Sequence, residues 1–260
     1  MAKIEEIESL VLGSGNNFHA KVARWFTDNQ WHVVVSPYYM DQAQSKAREI
    51  DLVVERAFPW YSHSGFVGNV IVRLFVECKY VAAPAVFWFA KKDEISALEL
   101  VEKNNSGEGQ YINPEKHHYL SGNERAAKLF ASSNSRGSEN DPFFKALNQV
   151  LNAMVSLRGQ STSIPQLRKN HWAREIMIEY PVVVCSSFDN LYFVNFDAES
   201  APQRIENNFL FEVRYAYVDR GGKQMNDYFL LDFIEFDRLS ELAKAVEEEA
   251  YVAGGLGFRS

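Results

Sequence analysis

The sequence has little of three features, and each shortage argues against a class of protein. It has two cysteines in 260 residues, Cys78 and Cys185, each inside an apolar run without a Cys-x-x-Cys or Cys/His spacing, which argues against a disulfide framework and a zinc site. No apolar run reaches the roughly 18 residues that a membrane-spanning helix needs. The acidic first ten residues lack the basic flank and apolar centre of a signal peptide. We therefore expect a soluble cytoplasmic protein with no membrane partner.

The third shortage is basic charge, because the net charge is −7. A nucleic-acid partner draws affinity from Lys and Arg, so this balance at first argues against one. The charge is unevenly distributed: residues 1–80 hold 8 basic and 9 acidic side chains, residues 81–170 hold 11 and 9, and residues 171–260 hold 8 and 16. The acidity belongs to the last third, and the middle of the chain stays available for a phosphate backbone.

What the chain has is a large apolar fraction, 47%, arranged in helix and strand periods. Asp141-Pro142 is the clearest helix start, an N-cap followed by proline. Polar segments at 104–110 and 132–140 are typical of loops. We expect an α/β fold, with a core over 1–197 that carries a loop-rich insertion at about 81–140, and an acidic α+β extension over 198–260 packed on the same domain. The expected helices are 18–30, 90–103, 141–158 and 237–254, and the expected strands are 31–39, 49–56, 69–80, 179–187, 190–196, 209–218 and 228–236.

One group of charged residues stands out on the second and third expected strands. Glu77 and Lys79 share one strand face by alternation, and Asp51 begins the preceding strand. In an antiparallel hairpin the start of one strand lies beside the end of the next, so Asp51 is expected near both. Two converging carboxylates repel each other unless a cation lies between them, and oxygen ligands suit Mg²⁺ or Mn²⁺. The alternative is that these charges line the solvated face of a sheet, with some other fold.

Around these residues the sequence resembles members of the PD-(D/E)XK nuclease superfamily, in particular its methyl-directed and restriction-type branch. The matching motifs are Arg-Glu-Ile-Asp-Leu-Val-Val-Glu around Asp51 and Leu-Phe-Val-Glu-Cys-Lys-Tyr around Glu77 and Lys79. The resemblance implies a restriction-endonuclease-like core, in the order helix, three antiparallel strands, helix, strand. It implies that Asp51, Glu77 and the Cys78 carbonyl hold the metal and that Lys79 acts on the attacking water. It covers residues 16–80 well and 141–197 by element order only.

The chain departs from that family at the first helix, where many relatives carry a glutamate and this sequence has Phe18-His19. His19 is therefore an accessory candidate, as a ligand or as a donor behind the ligands, with a purely structural histidine as the alternative. Gln149 on the second core helix is another accessory candidate, with an ordinary surface amide as the alternative. Basic residues expected to contact the substrate are Lys91, Lys92, Lys116, Arg125, Arg168 and Lys169.

The resemblance implies a metal-dependent deoxyribonuclease, an endonuclease of restriction or defence type, with DNA as partner and no nucleotide cofactor. Cutting of both strands would suggest a homodimer. The second hypothesis is a catalytically inactive relative that keeps the nuclease fold as a nucleic-acid-binding or assembly module. The His19 position is its main support.

Overall fold

A computed structural model describes residues 3–13, 15–63, 65–104, 113–122, 124–133, 141–167 and 174–254. These ranges contain five α-helices and twelve strands. The helices are α1 (Ile4–Gly13), α2 (Gly15–Asp28), α3 (Glu94–Asn104), α4 (Pro142–Leu157) and α5 (Leu239–Ala253). The strands are β1 (His32–Val35), β2 (Tyr38–Asp41), β3 (Lys46–Glu49), β4 (Leu52–Ser62), β5 (Gly65–Lys79), β6 (Ala85–Lys91), β7 (Arg125–Ser132), β8 (Arg174–Cys185), β9 (Leu191–Asn195), β10 (Gln203–Arg204), β11 (Phe209–Val218) and β12 (Gln224–Glu235).

The fold is α/β, with one mixed sheet of ten strands in the order β1-β4-β5-β8-β12-β11-β7-β6-β9-β10. The pairs β1/β4, β4/β5, β12/β11, β7/β6 and β9/β10 are antiparallel, and the pairs β5/β8, β8/β12, β11/β7 and β6/β9 are parallel. Strands β5, β8 and β12 therefore run in one direction and end at the same edge of the sheet. We call this edge the upper edge.

Helices cover both faces of the sheet and divide the core in two. Helices α2, α3 and α5 pack on one face through residues such as Val22, Val101 and Val246. Helix α4 packs on the other face through Leu147, Val150 and Leu151. The small hairpin β2–β3 lies against α4, where the Ser156 hydroxyl donates to the Met40 carbonyl. The face of β5 that carries Phe75 and Glu77 is the α4 face.

Local sequence signals explain several element boundaries. The Asp141 side chain accepts the backbone N–H groups of Phe143 and Phe144, and Pro142 occupies the first turn, so the predicted N-cap of α4 is confirmed. Gly159 just after α4 has a φ of +73°, a conformation that glycine adopts without steric cost. Among the described residues, no helix combines the length and apolarity needed to cross a membrane.

The structure differs from the sequence expectations in three places. The expected strand 31–39 is broken at Ser36, whose φ is +51°, and only its first part joins the main sheet. The expected loop-rich insertion contains, besides the expected helix, which begins at Glu94, the strands β6 and β7, because its apolar residues pack into both halves of the core. The expected C-terminal extension is part of the sheet itself, since β12 lies between β8 and β11.

Candidate functional site

The residues Asp51, Glu77 and Lys79 come together at the upper edge of the sheet. Leu52 pairs with Val76 across β4 and β5, which places Asp51 opposite Glu77. The backbone N–H of Cys78 donates to Asp51 Oδ2 at 2.7 Å, and Lys79 Nζ lies 3.2 Å from Glu77 Oε2. Glu77 is 1% exposed and sits under α4 rather than on a solvated face. The alternative of an open, solvated sheet face is therefore wrong for this strand.

Glu77 is the electrostatically unusual member of the group. Burial raises the pKa of its carboxyl group to about 8, the Asp51 charge adds to that rise, and the Lys79 ammonium opposes it. Its Oε1 is buried without a hydrogen bond of normal geometry from any described residue, and the nearby backbone N–H of Asp51, which favours the charged form, is outweighed by burial. A buried carboxylate oxygen without a well-formed hydrogen bond is costly, and a bound cation would remove that cost.

The donor set fits a hard divalent cation. Asp51 and Glu77 offer carboxylate oxygens from neighbouring strands, and Lys79 contributes one positive charge to two adjacent carboxylates. Oxygen-only ligands suit Mg²⁺ or Mn²⁺ better than zinc. The arrangement can therefore hold a cation beside a lysine ammonium, a combination that can stabilise negative charge on a phosphate.

His19 reaches this site from α2. Its Nε2 lies 2.8 Å from the Asp51 carbonyl oxygen, so the Nε2–H group donates and the carbonyl accepts. This contact holds the backbone just before β4. His19 thus uses Nε2 to hold the Asp51 backbone, which is the position expected of a donor behind the ligands.

Gln149, the other accessory candidate, lies on α4 beside the end of β3. Its side-chain amide donates to the Glu49 carbonyl at 3.4 Å, and the Tyr39 hydroxyl donates to its backbone carbonyl at 3.3 Å. Tyr39 was not identified from the sequence. Burial raises its pKa above the usual value, and the Glu77 charge acts in the same direction. No local pattern points to Tyr39, because it comes from a hairpin that only tertiary packing brings to α4.

A second ionic group lies on the same sheet face, further from the upper edge. Arg73 Nε lies 2.5 Å from Glu55 Oε1, and its Nη1 lies 3.0 Å from Glu179 Oε1. Glu55 also accepts the hydroxyl and N–H groups of Thr162 and Ser163. These groups satisfy one another, so this cluster ties three strands to the segment after α4 and offers no ligand position.

The basic residues expected to contact a substrate have different surroundings. Lys92 is buried and its Nζ donates to the Tyr119 carbonyl at 2.7 Å, so it is not on a substrate-facing surface. Lys91 is exposed and lies 3.6 Å from Glu94, Lys116 is exposed, and Arg125 donates to the Phe89 carbonyl. Arg168 and Lys169 lie outside the described residues.

The opposite face of the sheet carries a polar cluster of His117, His118 and Glu249, whose potential ligand atoms lie within 4.8 Å of one another. His118 Nδ1 lies 2.6 Å from Glu249 Oε1, and its Nε2 lies 3.2 Å from Asp232 Oδ2. Burial opposes the charge on His118, but the Glu249 and Asp232 carboxylates raise its pKa to about 10. The run Lys116-His117-His118 was expected to contact the substrate; in the structure Lys116 is exposed, whereas the two histidines join this buried cluster.

Hydrogen bonding favours a proton over a metal in this cluster. His117 Nδ1 accepts the Tyr119 N–H at 3.2 Å, so the hydrogen of the neutral ring is on Nε2, which faces Glu249. Glu249 also accepts the backbone N–H of His118 and the Tyr180 hydroxyl. The carboxylate is thus surrounded by donors, and the His118 imidazolium supplies the positive charge that a metal would bring.

Comparison with known proteins gives no relative for this chain. No protein-family model, no curated protein and no solved structure matches it.

Proposed function

We propose that the protein is a divalent-metal-dependent phosphodiesterase that acts on DNA as an endonuclease of restriction or defence type. The observation that carries the proposal is the convergence of Asp51, Glu77 and Lys79, with a buried Glu77 oxygen that has no hydrogen bond of normal geometry among the described residues. The order of elements also supports it. A restriction-endonuclease-like core is expected to have a helix, three antiparallel strands, a second helix and a fourth strand. The corresponding elements here are α2, then β1, β4 and β5, then α4, then β8.

The role of each residue follows from its position. Asp51, Glu77 and the Cys78 carbonyl would hold Mg²⁺ or Mn²⁺. When bound, the cation would supply Lewis-acid stabilisation of the charge that develops on the phosphate. Lys79, 20% exposed in its side chain, holds Glu77 Oε2 and can present its ammonium to the phosphate or the attacking water. His19 fixes the backbone carbonyl of Asp51 and so the position of its carboxylate.

A cleavage assay tests this function. Purified protein is incubated with supercoiled plasmid and linear DNA in millimolar Mg²⁺ or Mn²⁺, beside the variants Asp51→Asn, Glu77→Gln and Lys79→Met. Each variant should lose at least about a hundredfold in rate, since groups that stabilise transition-state charge typically contribute this much. The exposed residues Asp28 and Lys145 provide matched controls, as Asp28→Asn and Lys145→Met. Equal cutting by wild type and all site variants would end the proposal, and cleavage of RNA alone would end its DNA part.

The second candidate is a non-catalytic module with the same fold, and His19 is the observation that favours it. Where the resemblance leads one to expect a helix glutamate as an additional ligand, His19 uses Nε2 for a backbone contact. Calorimetry with Mn²⁺ separates the two candidates. Binding at sub-millimolar Mn²⁺ that is lost in Glu77→Gln favours the enzyme, whereas no binding together with no cleavage favours the module.

A further inference from the structure

A concave pocket of about 490 Å³ lies away from the metal site, where strands β6, β7, β9 and β11 meet. This volume is within the range of pockets that hold small organic ligands, roughly 300–1,000 Å³. Phenylalanine rings, amide side chains and charged groups share its surface. The rings and charges of the lining belong to Phe89, Phe193, Phe209, Glu124, Arg125 and Glu206.

The pocket and the candidate metal site open at the same edge and on the same face of the sheet. Phe209 begins β11 and pairs with Phe233 near the end of β12, whose last residue, Glu235, pairs with Cys185. Cys185 in turn pairs with Lys79. Phe89, Phe193 and Phe209 belong to the core on the α4 face, as does Phe75 beside Glu77. Strand β11, which carries the buried Phe209, is three positions from β5. Strands β6 and β9, which carry the partly exposed Phe89 and Phe193, are five and six positions away, about 24–29 Å at the usual strand spacing.

The aromatic wall suits a flat, neutral ligand. Phe89 lies with its ring centroid 5.6 Å from that of Phe193 and 5.3 Å from that of Phe209, and Phe89 and Phe193 are only partly buried. Partly covered rings in a pocket offer stacking surface to a base, which contributes about 1–3 kcal/mol per stacked base in single-strand binding proteins.

The charged groups argue against a phosphate in this pocket. Arg125 donates to the Phe89 carbonyl at 2.8 Å and lies 3.3 Å from the Asp197 carboxylate, so its guanidinium is already engaged. Glu124 and Glu206 are exposed carboxylates on the lining. Carboxylates repel a phosphate but accept hydrogen bonds from the amino groups of adenine, cytosine and guanine.

We propose that this pocket is a nucleobase-binding site that takes an unpaired, amino-bearing base of the nucleic acid engaged at the metal site. The proposal rests on the proposed function for its substrate class. It adds that recognition of the substrate includes a base lifted out of its stack, held by aromatic rings and read by carboxylates, five to six strand positions from the strand that carries Glu77.

Titration calorimetry with free nucleosides in EDTA tests the pocket without metal or cleavage. Deoxycytidine and deoxyuridine form a ligand pair of nearly equal shape: cytosine has an amino group at C4 and an acceptor at N3, and uracil has a carbonyl group at C4 and a single N–H donor at N3. We expect deoxycytidine and deoxyadenosine to bind and deoxyuridine to bind at least fivefold more weakly. Phe193→Leu, which keeps an apolar side chain but removes the ring, should weaken deoxycytidine binding about tenfold. The double variant Glu124→Gln, Glu206→Gln should reduce the deoxycytidine preference to less than twofold.

Two controls make the outcomes decisive. Tyr61→Ala removes an exposed ring at the opposite end of the sheet and should leave nucleoside binding unchanged. Asp51→Asn should also bind nucleosides like wild type, so loss of cleavage with retained nucleoside binding separates failure of the metal site from failure of the pocket. Absence of nucleoside binding, equal binding by Phe193→Leu, or equal binding of ribose 5-phosphate would overturn the pocket proposal while leaving the nuclease proposal to its own assay.

Discussion

At the scale of single residues, Glu77 has the least ordinary environment at the candidate site. It is buried, one of its oxygens has no hydrogen bond of normal geometry among the described residues, and its neighbours are a carboxylate and an ammonium of opposite effect. A structural carboxylate such as Glu55 shows the contrast, because Arg73, Thr162 and Ser163 satisfy it and its pKa is lowered despite burial. This difference between the two glutamates is the reason why Glu77 is a proposed metal ligand and Glu55 is not.

The first prediction concerns the pH dependence of stability caused by Glu77. Its pKa is about 8 in the folded protein against an ordinary 4.5, so the folded state retains a proton that the unfolded state loses between these values. The protonated Glu77 carboxyl group therefore contributes to folding stability in full below pH 4.5, and this stability is lost as the pH rises through 8. In EDTA, Glu77→Gln should gain stability relative to wild type by about 2–4 kcal/mol between pH 5 and pH 8. Urea denaturation at both pH values measures it, and a constant difference would contradict the assigned environment.

Metal addition gives a second prediction at the same residue. By the proposed function, a cation at pH 8 would replace the proton on Glu77. A ligand that binds only the folded state stabilises it by about 2.7 kcal/mol at a hundredfold excess over its Kd. Mg²⁺ or Mn²⁺ should therefore raise the Tm of wild type and leave the Tm of Glu77→Gln nearly unchanged. Ca²⁺ in the same titration shows whether the effect is selective, and an equal rise in both proteins would place the metal elsewhere.

At the scale of elements, two buried ionic clusters connect helices and strands on opposite faces of the sheet. Arg73 on β5 joins Glu55 on β4 and Glu179 on β8. His118, on the segment between α3 and β7, joins Glu249 on α5 and Asp232 on β12. Both clusters place one cation between two carboxylates, so removal of the cation leaves buried negative charge.

Arg73→Met should therefore destabilise the protein by about 3–5 kcal/mol, the usual cost of leaving buried charges without their partner. Chemical denaturation at pH 7 measures the loss. Arg204→Met changes an exposed arginine on β10 and should stay within about 0.5 kcal/mol of wild type. A similar small change for Arg73→Met would show that the two glutamates are protonated or hydrated in the folded protein.

The His118 cluster predicts a plateau of stability with two limits. The pKa of His118 is about 10 in the folded protein against an ordinary value of 6.5. The stability that its imidazolium contributes is therefore present in full below pH 6.5 and is lost as the pH rises through 10. The pKa of Glu249 is lowered to about 2, so its contribution is present above 4.5 and lost as the pH falls through 2. His118→Gln should be several kcal/mol less stable than wild type at pH 7 and should approach it above pH 10. His63→Gln, at an exposed site, is the control, and zinc should not restore His118→Gln.

At the scale of the whole molecule, the sheet is continuous across the regions that the sequence suggested were core, insertion and extension. Strand β12 separates β8 from β11, and its Leu230 and Leu231 are fully buried on the two faces. A chain that ends after residue 197 should consequently fail to fold, since it lacks two internal strands and α5. Cooperative melting of this shorter chain would show that the first 197 residues form an independent unit.

Sequence alone determined the elements whose signals are local. Alternation placed Glu77 and Lys79 on one face, hairpin geometry brought Asp51 beside them, and the Asp141-Pro142 cap marked α4, because these relations depend on neighbours within one strand pair or one helical turn. Only the tertiary structure decided that the Glu77 face lies under α4, that Tyr39 approaches it, and that β11 and β12 enter the sheet beside β8. Burial and long-range pairing depend on contacts between residues far apart in the chain, and these contacts leave no periodic signal in any one segment.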